Sequence, residues 1–169
     1  DIGGAVTYVH CDVTDPDQVR ASVDRCVRDH GRIDVIFNNA ATSTGGYVAD
    51  LDLDGFDASL SVMLKGPLHG MQAALPHLAP QARIVNIASE LAYLGRAGSS
   101  VYAATKGAIL SLTRSWAREF APGILVNAVA PGPVDTALLD FENMPPALKA
   151  LETSNPLGRI GQPEEIAGA

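Results

Sequence analysis

The 169-residue sequence is poor in residues that bind metal ions, with only two cysteines and four histidines. Cys11 and Cys26 lie far apart, and no two histidines have the H-x-x-x-H spacing, so the common metal-ligand patterns are missing. We therefore predict no metal site. The simplest interpretation of the cysteines is two free, buried thiols in a cytosolic protein, one at a strand end and one on a helix.

Basic clusters and long apolar runs are also missing. The net charge is −7, from 12 basic and 19 acidic residues that include no Lys/Arg cluster, which argues against a nucleic-acid partner. The apolar runs are far shorter than the roughly 20 residues that cross a bilayer. The first residues, Asp1-Ile2-Gly3-Gly4, do not resemble a signal peptide. We therefore predict a cytoplasmic protein without a nucleic-acid or membrane partner.

Apolar residues as a class are abundant and make up 47% of the chain, enough for one domain of ordinary size. Short apolar runs alternate with segments of helical periodicity, which is typical of βαβ units and a parallel sheet. The runs are nearly continuous in Val, Ile, Leu and Ala, as expected for strands covered on both faces. The predicted strands are Ala5–Cys11, Val35–Asn38, Arg83–Ala88 and Leu125–Ala130.

Three helices are predicted between these strands. The first has an N-cap and an early proline in Asp15-Pro16 and ends at His30-Gly31. The second runs from about residue 53 to residue 78, with irregularities that include Pro67. The third starts near Ser100 and ends near Ala121. It carries an apolar stripe at helical spacing: Ile109, Leu112, Trp116 and Phe120.

Tyr102 and Lys106 are the residues of the third helix that indicate chemistry. They lie four residues apart and therefore share one helix face. A cation beside a phenol lowers the phenol pKa from its usual value of about 10, which would make Tyr102 an acid/base near neutral pH. The same spacing also occurs on ordinary solvated helix faces, so the pair alone does not decide between the two interpretations.

The surrounding motifs, in their order and spacing, resemble those of the classical short-chain dehydrogenase/reductase family over nearly the whole chain. Each motif is weak alone, but together they are specific. They are Asp12-Val13, Asn38-Asn39-Ala40-Ala41, Ser89 thirteen residues before Tyr102, and Pro131-Gly132-Pro133-Val134-Asp135-Thr136. The resemblance implies a doubly wound, Rossmann-like α/β fold with a parallel sheet, in a single domain over residues 1–169 that is incomplete at both ends.

The resemblance also implies catalytic roles for Ser89, Tyr102 and Lys106. Tyr102 would exchange a proton with the substrate oxygen, and Ser89 would stabilise charge on that oxygen. Lys106 would lower the pKa of Tyr102 and hold the nicotinamide ribose. The alternatives are a turn serine at the end of a strand and a surface lysine on a helix.

An NAD or NADP cofactor is a further implication of the family. The residues that match its cofactor-binding positions are Asp12, Val13, Asn39, Ala40, Ala41, Tyr102, Lys106, Pro131, Gly132, Val134 and Thr136. Ala41 stands where the family usually has glycine. Asp12 has an alternative role as a turn residue at a strand end. The choice between NAD and NADP is set at the end of a strand that this sequence lacks.

Two departures from the family pattern stand out. The glycine-rich turn that places backbone N–H groups against the cofactor pyrophosphate is not in the sequence. We therefore hypothesise that the chain is part of a longer polypeptide, in which case Ala5–Cys11 has lost its neighbouring strands. Met63 stands where the family usually has an asparagine that links the catalytic lysine to solvent. We expect Met63→Asn to leave stability similar.

The resemblance implies interconversion of a secondary alcohol and a ketone by a homodimer or homotetramer. Leu91, Leu94, Arg96 and the loop 138–151 would lie near the substrate, and their largely apolar character favours an apolar alcohol or ketone. One alternative is a non-catalytic scaffold or interaction module of the same fold. Another is an enzyme like 3-oxoacyl-carrier-protein reductase, which needs a basic docking patch for which Arg96 and Arg159 are the candidates.

Overall fold

A computed structural model describes residues 6–42 and 45–169. Three parallel strands, β1 (Ile33–Asn38), β2 (Leu78–Ile87) and β3 (Leu125–Val129), form one sheet in the order β1-β2-β3. Asn38 lies opposite Asn86, and Ile87 lies opposite Val129. The carboxyl ends of the three strands therefore meet at one edge of the sheet. The predicted Rossmann-like α/β fold with a parallel sheet is confirmed.

The helices follow the predicted alternation with the strands. The first, α1 (Pro16–His30), begins where the Asp15 carboxylate accepts hydrogen bonds from the backbone N–H groups of Asp17 and Gln18. It ends at Gly31, whose φ of +81° is the left-handed conformation that glycine tolerates best. The others are α2 (Leu53–Leu60), α3 (Gly66–Ala74), α4 (Leu91–Leu94), α5 (Ser100–Glu119), α6 (Pro146–Glu152) and α7 (Pro163–Ala167), with 3₁₀ turns at Val48–Asp50, Leu75–His77 and Phe141–Asn143.

The single long helix predicted between residues 53 and 78 is interrupted by a π-helical segment, Ser61–Lys65. The N–H of Gly66 bonds to the carbonyl of Ser61, five residues back. Pro67 has no N–H to donate to the carbonyl of Met63, which explains why the regular α-helical pattern fails at this point. Met63 lies in this segment and is only 1% exposed.

The predicted strand Ala5–Cys11 is wrong over the part that the structure describes. Ala5 lies outside the described residues, and residues 6–11 form no strand. Val6 and Tyr8 are 62% and 85% exposed. In the described structure no strand pairs with this segment, and an extended segment without hydrogen-bonded neighbours does not become a stable strand. Consequently β1 is one of the two edge strands of the described sheet. Its Phe37 side chain is 57% exposed.

The core lies between the sheet and α5. Trp116 of α5 packs with Ile84 of β2 and Val126 of β3, and Ile109 packs with Ala88. The apolar stripe that the sequence shows on this helix is therefore used for packing within the chain. This packing fixes the position of the first turns of α5, which carry Tyr102.

A buried chain of hydrogen bonds crosses the same layers. Nδ2 of Asn38 donates to the side-chain oxygen Oδ1 of Asn86 at 2.8 Å, and Nδ2 of Asn86 donates to Oγ1 of Thr113 at 2.9 Å. Thr113 in turn donates to the carbonyl of Ile109 at 2.7 Å. Asn86 is fully buried, so each of its polar atoms needs such a partner. The chain therefore ties β1, β2 and α5 together.

The two cysteines agree only in part with the prediction from the sequence. Cys11 and Cys26 are free and only partly buried, so the prediction of free thiols holds but that of full burial is wrong. Cys11 lies in the segment that forms no strand, whereas Cys26 lies in α1 as expected.

Within residues 6–42 and 45–169, no helix combines the length and hydropathy that crossing a membrane requires.

Candidate active site

A cavity of about 900 Å³ opens at the carboxyl ends of β2 and β3. This edge is where parallel α/β sheets bind their ligands. Ser89 and Tyr102 both line the cavity. Apolar side chains make up another part of its wall: Leu91, Leu138, Leu139 and Met144.

Ser89 is held at the end of β2 by an extension of the sheet. The N–H of Ala88 bonds to the carbonyl of Val129 at 2.8 Å, and the N–H of Glu90 bonds to the carbonyl of Pro131 at 2.9 Å. Ser89 therefore lies between two backbone hydrogen bonds that continue the β2–β3 pairing. Its hydroxyl accepts a hydrogen bond of 3.2 Å from the N–H of Leu91, and its side chain is buried.

Tyr102 and Lys106 lie one turn apart in α5, as the spacing predicts. The ammonium nitrogen of Lys106 lies 5.6 Å from the centroid of the Tyr102 ring. It donates a hydrogen bond of 2.7 Å to the carbonyl of Ile87, and Lys106 as a whole is 3% exposed. Lys106 is therefore a buried cation behind Tyr102, and the alternative of a surface lysine does not apply.

The electrostatics of this pair differ from the expectation. Burial lowers the pKa of Lys106 to about 8. Burial also raises the pKa of Tyr102, although a hydrogen-bonding interaction with the Ser89 side chain acts in the opposite direction. The predicted lowering of the Tyr102 pKa is thus wrong for this structure, because desolvation of the phenolate outweighs its stabilisation. A raised pKa keeps Tyr102 protonated at neutral pH, which suits a proton donor.

All four predicted cofactor residues after β3 lie on the wall of the same cavity, as does Asn39 from the end of β1: Pro131, Gly132, Val134 and Thr136. Backbone hydrogen bonds from Gly161 to the carbonyl of Pro133, and from Asp135 to the carbonyl of Gly161, fix this segment. A Cβ atom at Gly132 would lie 3.0 Å from Oε2 of Glu90, so the close approach favours glycine.

The remaining predicted cofactor residues lie elsewhere. Val13 and Ala40 line a second cavity of about 300 Å³, and Asn39 lines both cavities. The carboxylate of Asp12 accepts hydrogen bonds from the backbone N–H and hydroxyl of Thr14, which lower its pKa. This contact is the turn geometry expected of the alternative role. Asp12, Ala41 and Lys106 are not among the described residues that line either cavity.

Two acidic residues of the cavity wall were not predicted from the sequence. Glu90 follows Ser89 directly, and Glu152 lies one residue beyond the loop 138–151 that was expected near the substrate. Glu152 forms an ion pair with Arg96, which was expected in this region. The adjacency of an acid to Ser89 is the one signal that points to Glu90, whereas nothing local marks Glu152. Leu94 was also expected near the substrate, but it is 75% exposed and is not among the described residues that line the cavity.

Comparisons with known proteins agree with this description. The family model described as Enoyl-(Acyl carrier protein) reductase matches residues 1–169. A 3-oxoacyl-[acyl-carrier-protein] reductase from Thermotoga maritima is 38% identical, over 97% of this chain and 68% of that protein. A sorbitol dehydrogenase from Cereibacter sphaeroides is 34% identical, over 99% of this chain and 71% of that protein.

Solved structures give the same result. The ligand-free aldohexose dehydrogenase of Thermoplasma acidophilum has a TM-score of 0.86 at 32% identity, covering 98% of this chain and 70% of that chain. A short-chain dehydrogenase from Burkholderia cenocepacia in complex with NADP has a TM-score of 0.86 at 35% identity, covering 95% and 65%. The chain thus spans about two thirds of the length of its relatives. It belongs to the short-chain dehydrogenase/reductase family of NAD(P)-dependent oxidoreductases.

Proposed function

We propose that Tyr102 is the acid/base that interconverts a secondary alcohol and a ketone in this NAD(P)-dependent oxidoreductase. The observation that carries the proposal is the shared cavity wall of Ser89 and Tyr102 with the buried Lys106 directly behind it. A proton donor, a hydrogen-bond donor and a cation thus converge on the edge of the sheet where the ligands of this fold bind.

In the direction of ketone reduction, each of these side chains has one task. Tyr102, protonated at neutral pH, donates its phenolic proton to the carbonyl oxygen of the substrate. Ser89 donates a hydrogen bond to the same oxygen and stabilises the charge that develops there. Lys106, 5.6 Å from the centre of the Tyr102 ring, stabilises the phenolate that remains. In alcohol oxidation the proton moves in the opposite direction, from the hydroxyl group to Tyr102.

The residues around the cavity fit the nicotinamide end of the cofactor. Asn39, Gly132, Val134 and Thr136 lie on one wall of the cavity, with the backbone of Gly132 free of a side chain. The ammonium of Lys106 would hold the ribose hydroxyls from behind Tyr102. When bound, the nicotinamide supplies or accepts a hydride at the substrate carbon. The sequence contains no glycine-rich turn for the pyrophosphate, so these residues account for one end of the cofactor only.

The finer features of the function are part of the same proposal. Leucine side chains and Met144 on the cavity wall support an uncharged, largely apolar alcohol or ketone as substrate. We further propose a cytoplasmic homodimer or homotetramer. Because the apolar stripe of α5 packs inside the chain, a subunit contact through this helix would use its opposite face.

Reduction of a 3-oxoacyl group on a carrier protein is the second candidate. It is favoured by the Thermotoga maritima relative, whose name states that activity. Carrier proteins are acidic, however, and the two arginines considered for docking are both paired within the chain. Arg96 binds Glu152 through both terminal nitrogens, and Arg159 binds Glu165 in the same way, at 2.8 and 2.7 Å. The Arg96 pair is largely buried, and Glu165 neutralises the charge of Arg159 at an exposed site, so the two arginines do not form a basic patch.

Fluorescence titration of the protein with NADH and with NADPH tests the proposal. We expect micromolar binding to one of them, which would also settle the cofactor choice. The complex should then reduce a small aryl ketone, and the rate should depend on Tyr102. Absence of binding to both cofactors would contradict the proposal and favour the non-catalytic alternative. Faster reduction of a 3-oxoacyl thioester than of the free ketone would favour the second candidate.

A further inference from the structure

We propose that the Arg96–Glu152 pair makes the cavity select its substrates by charge. Because Glu152 already binds the arginine of the cavity, ligands that carry a carboxylate are excluded. The inference rests on the proposed function of this cavity and adds a specificity determinant to it. It makes the active site selective for uncharged alcohols and ketones.

The contact between the two side chains is bidentate. Arg96 Nη1 lies 2.5 Å from Glu152 Oε1, and Nη2 lies 3.0 Å from Oε2. This fork geometry is the one in which a guanidinium binds a carboxylate most strongly. The Glu152 side chain is 6% exposed and that of Arg96 is 25% exposed. The two terminal nitrogens of Arg96, which could otherwise bind an anionic substrate, are therefore already bound to Glu152.

The pair also joins two segments that are far apart in the sequence. Arg96 follows α4 directly after Gly95, whose φ of +65° ends the helix. The N–H of Ser99 bonds to the carbonyl of Arg96 at 3.1 Å and holds the turn. Glu152 is the last residue of α6, and its carbonyl accepts a hydrogen bond of 3.1 Å from the Asn155 side chain. Hydrogen bonds to the backbone therefore hold both segments in place, so the ion pair is a fixed feature of the cavity wall.

The balance of charge in the cavity points in the same direction. Among the described residues that line it, the charged side chains are Glu90, Arg96 and Glu152, two carboxylates and one guanidinium. Hydrogen bonding and the charge of Glu152, together with the charge of Glu90, raise the pKa of Arg96. A substrate carboxylate would meet a net negative wall. To reach Arg96 it would have to displace Glu152 and leave a buried carboxylate without a partner, which is costly.

Two matched ligands test the inference: 3-benzoylpropanoate, an aryl ketone that carries a carboxylate, and its uncharged methyl ester. Binding of each is measured by calorimetry to wild type, Glu152→Gln and Arg96→Gln/Glu152→Gln, with and without NADP⁺. We expect wild type to bind the ester at least about tenfold more tightly than the acid. Glu152→Gln frees the guanidinium, so the ester-to-acid preference should fall by about tenfold or more.

The other variants distinguish this role from a general structural one. The double variant lacks the freed guanidinium and should regain preference for the ester. Glu142→Gln removes an exposed carboxylate from the segment just before α6 and should leave the preference as in wild type. If Glu152→Gln fails to fold, the exchanged pair Arg96→Glu/Glu152→Arg replaces it, and this variant should retain the wild-type preference.

The inference is overturned if wild type binds the acid as tightly as the ester, if it binds neither probe, or if Glu152→Gln leaves the ratio unchanged. It is also overturned if the exchanged pair folds and binds the acid preferentially. The binding ratio requires no hydride transfer. Failure of the proposed function, seen as absent NADH and NADPH binding, is therefore a separate result from failure of this inference.

Discussion

Lys106 donates a hydrogen bond of 2.7 Å from Nζ to the carbonyl of Ile87, the last residue of β2. The bond crosses from α5 to the sheet two residues before Ser89. It therefore fixes the distance between the helix that carries Tyr102 and the strand that carries Ser89. In this structure the lysine thus has a positioning contact in addition to its charge.

Burial of Lys106 predicts a specific dependence of stability on pH. The pKa is about 8 in the folded protein and 10.5 for an ordinary lysine. Between these values the unfolded chain binds more protons, so the contribution of Lys106 to stability rises with pH and is lost as pH falls through about 8. Relative to Lys106→Met, the free energy of unfolding of wild type should increase by about 3 kcal/mol between pH 7 and pH 10.5. Denaturation by urea across this range measures it.

A control for this experiment is the same substitution at Lys65, which is exposed. The difference between wild type and Lys65→Met should stay constant over the same range. A constant difference for Lys106→Met as well would contradict the assignment of Lys106 as a desolvated cation.

Removal of the Tyr102 hydroxyl should abolish most of the turnover and preserve the fold. Tyr102→Phe removes the proton donor, which contributes about 100-fold or more to the rate. Steady-state ketone reduction with NADH or NADPH measures the loss, and circular dichroism checks folding. Tyr93→Phe removes a hydroxyl from a residue that is 65% exposed and should leave turnover close to wild type. Equal rates for both variants would remove Tyr102 from its proposed role.

Restoration of the family's usual asparagine at Met63 should destabilise this protein, contrary to the expectation from the sequence. The side chain is 1% exposed, so Met63→Asn buries an amide without an assigned partner. This should cost about 1–3 kcal/mol of unfolding free energy, measured by chemical denaturation. Met63→Leu conserves the apolar volume and should cost less than about 1.5 kcal/mol. Similar stability of the asparagine variant and wild type would mean that the amide finds a partner in the π-helical segment.

Truncation of Asn86 should have a larger effect than truncation of an exposed asparagine. Asn86→Ala leaves the Asn38 side-chain amide without its acceptor, a partly buried contact, and removes the donor to Thr113, a buried contact. We expect a loss of roughly 2–3 kcal/mol of unfolding free energy. Asn143→Ala breaks an exposed contact with Asp140 and should change stability by less than about 0.5 kcal/mol. Comparable losses in the two variants would show that the buried chain has no special energetic role.

Features that depend on local sequence were predicted well. The three strands of the sheet and the helix Ser100–Glu119 lie where apolar runs and periodicity placed them, except that β2 begins at Leu78 and not at the predicted Arg83. The proximity of Tyr102 and Lys106 follows from helical spacing alone. The resemblance to the family predicted that Ser89 lies in the same site, although Ser89 is thirteen residues before Tyr102 in the chain.

Features that depend on the environment were not predicted. Residues 6–11 have the composition of a strand but no described partner, and composition does not report partners. The direction of the Tyr102 pKa depends on burial, which the spacing of two residues does not reveal. The pair of Arg96 and Glu152 spans 56 positions of the chain, so no local pattern marks it.

The extension of the β2–β3 pairing beyond both strands has a mechanical consequence. Ser89 lies between two backbone hydrogen bonds that continue the sheet, whereas another part of the cavity wall is formed by a loop and the short helix α6. The sheet therefore sets the geometry of the reaction, whereas the loop and α6 set which ligand shapes the cavity accepts. Exchange of residues 136–152 for a loop of another length should change which molecules enter while the proton-transfer distance stays the same.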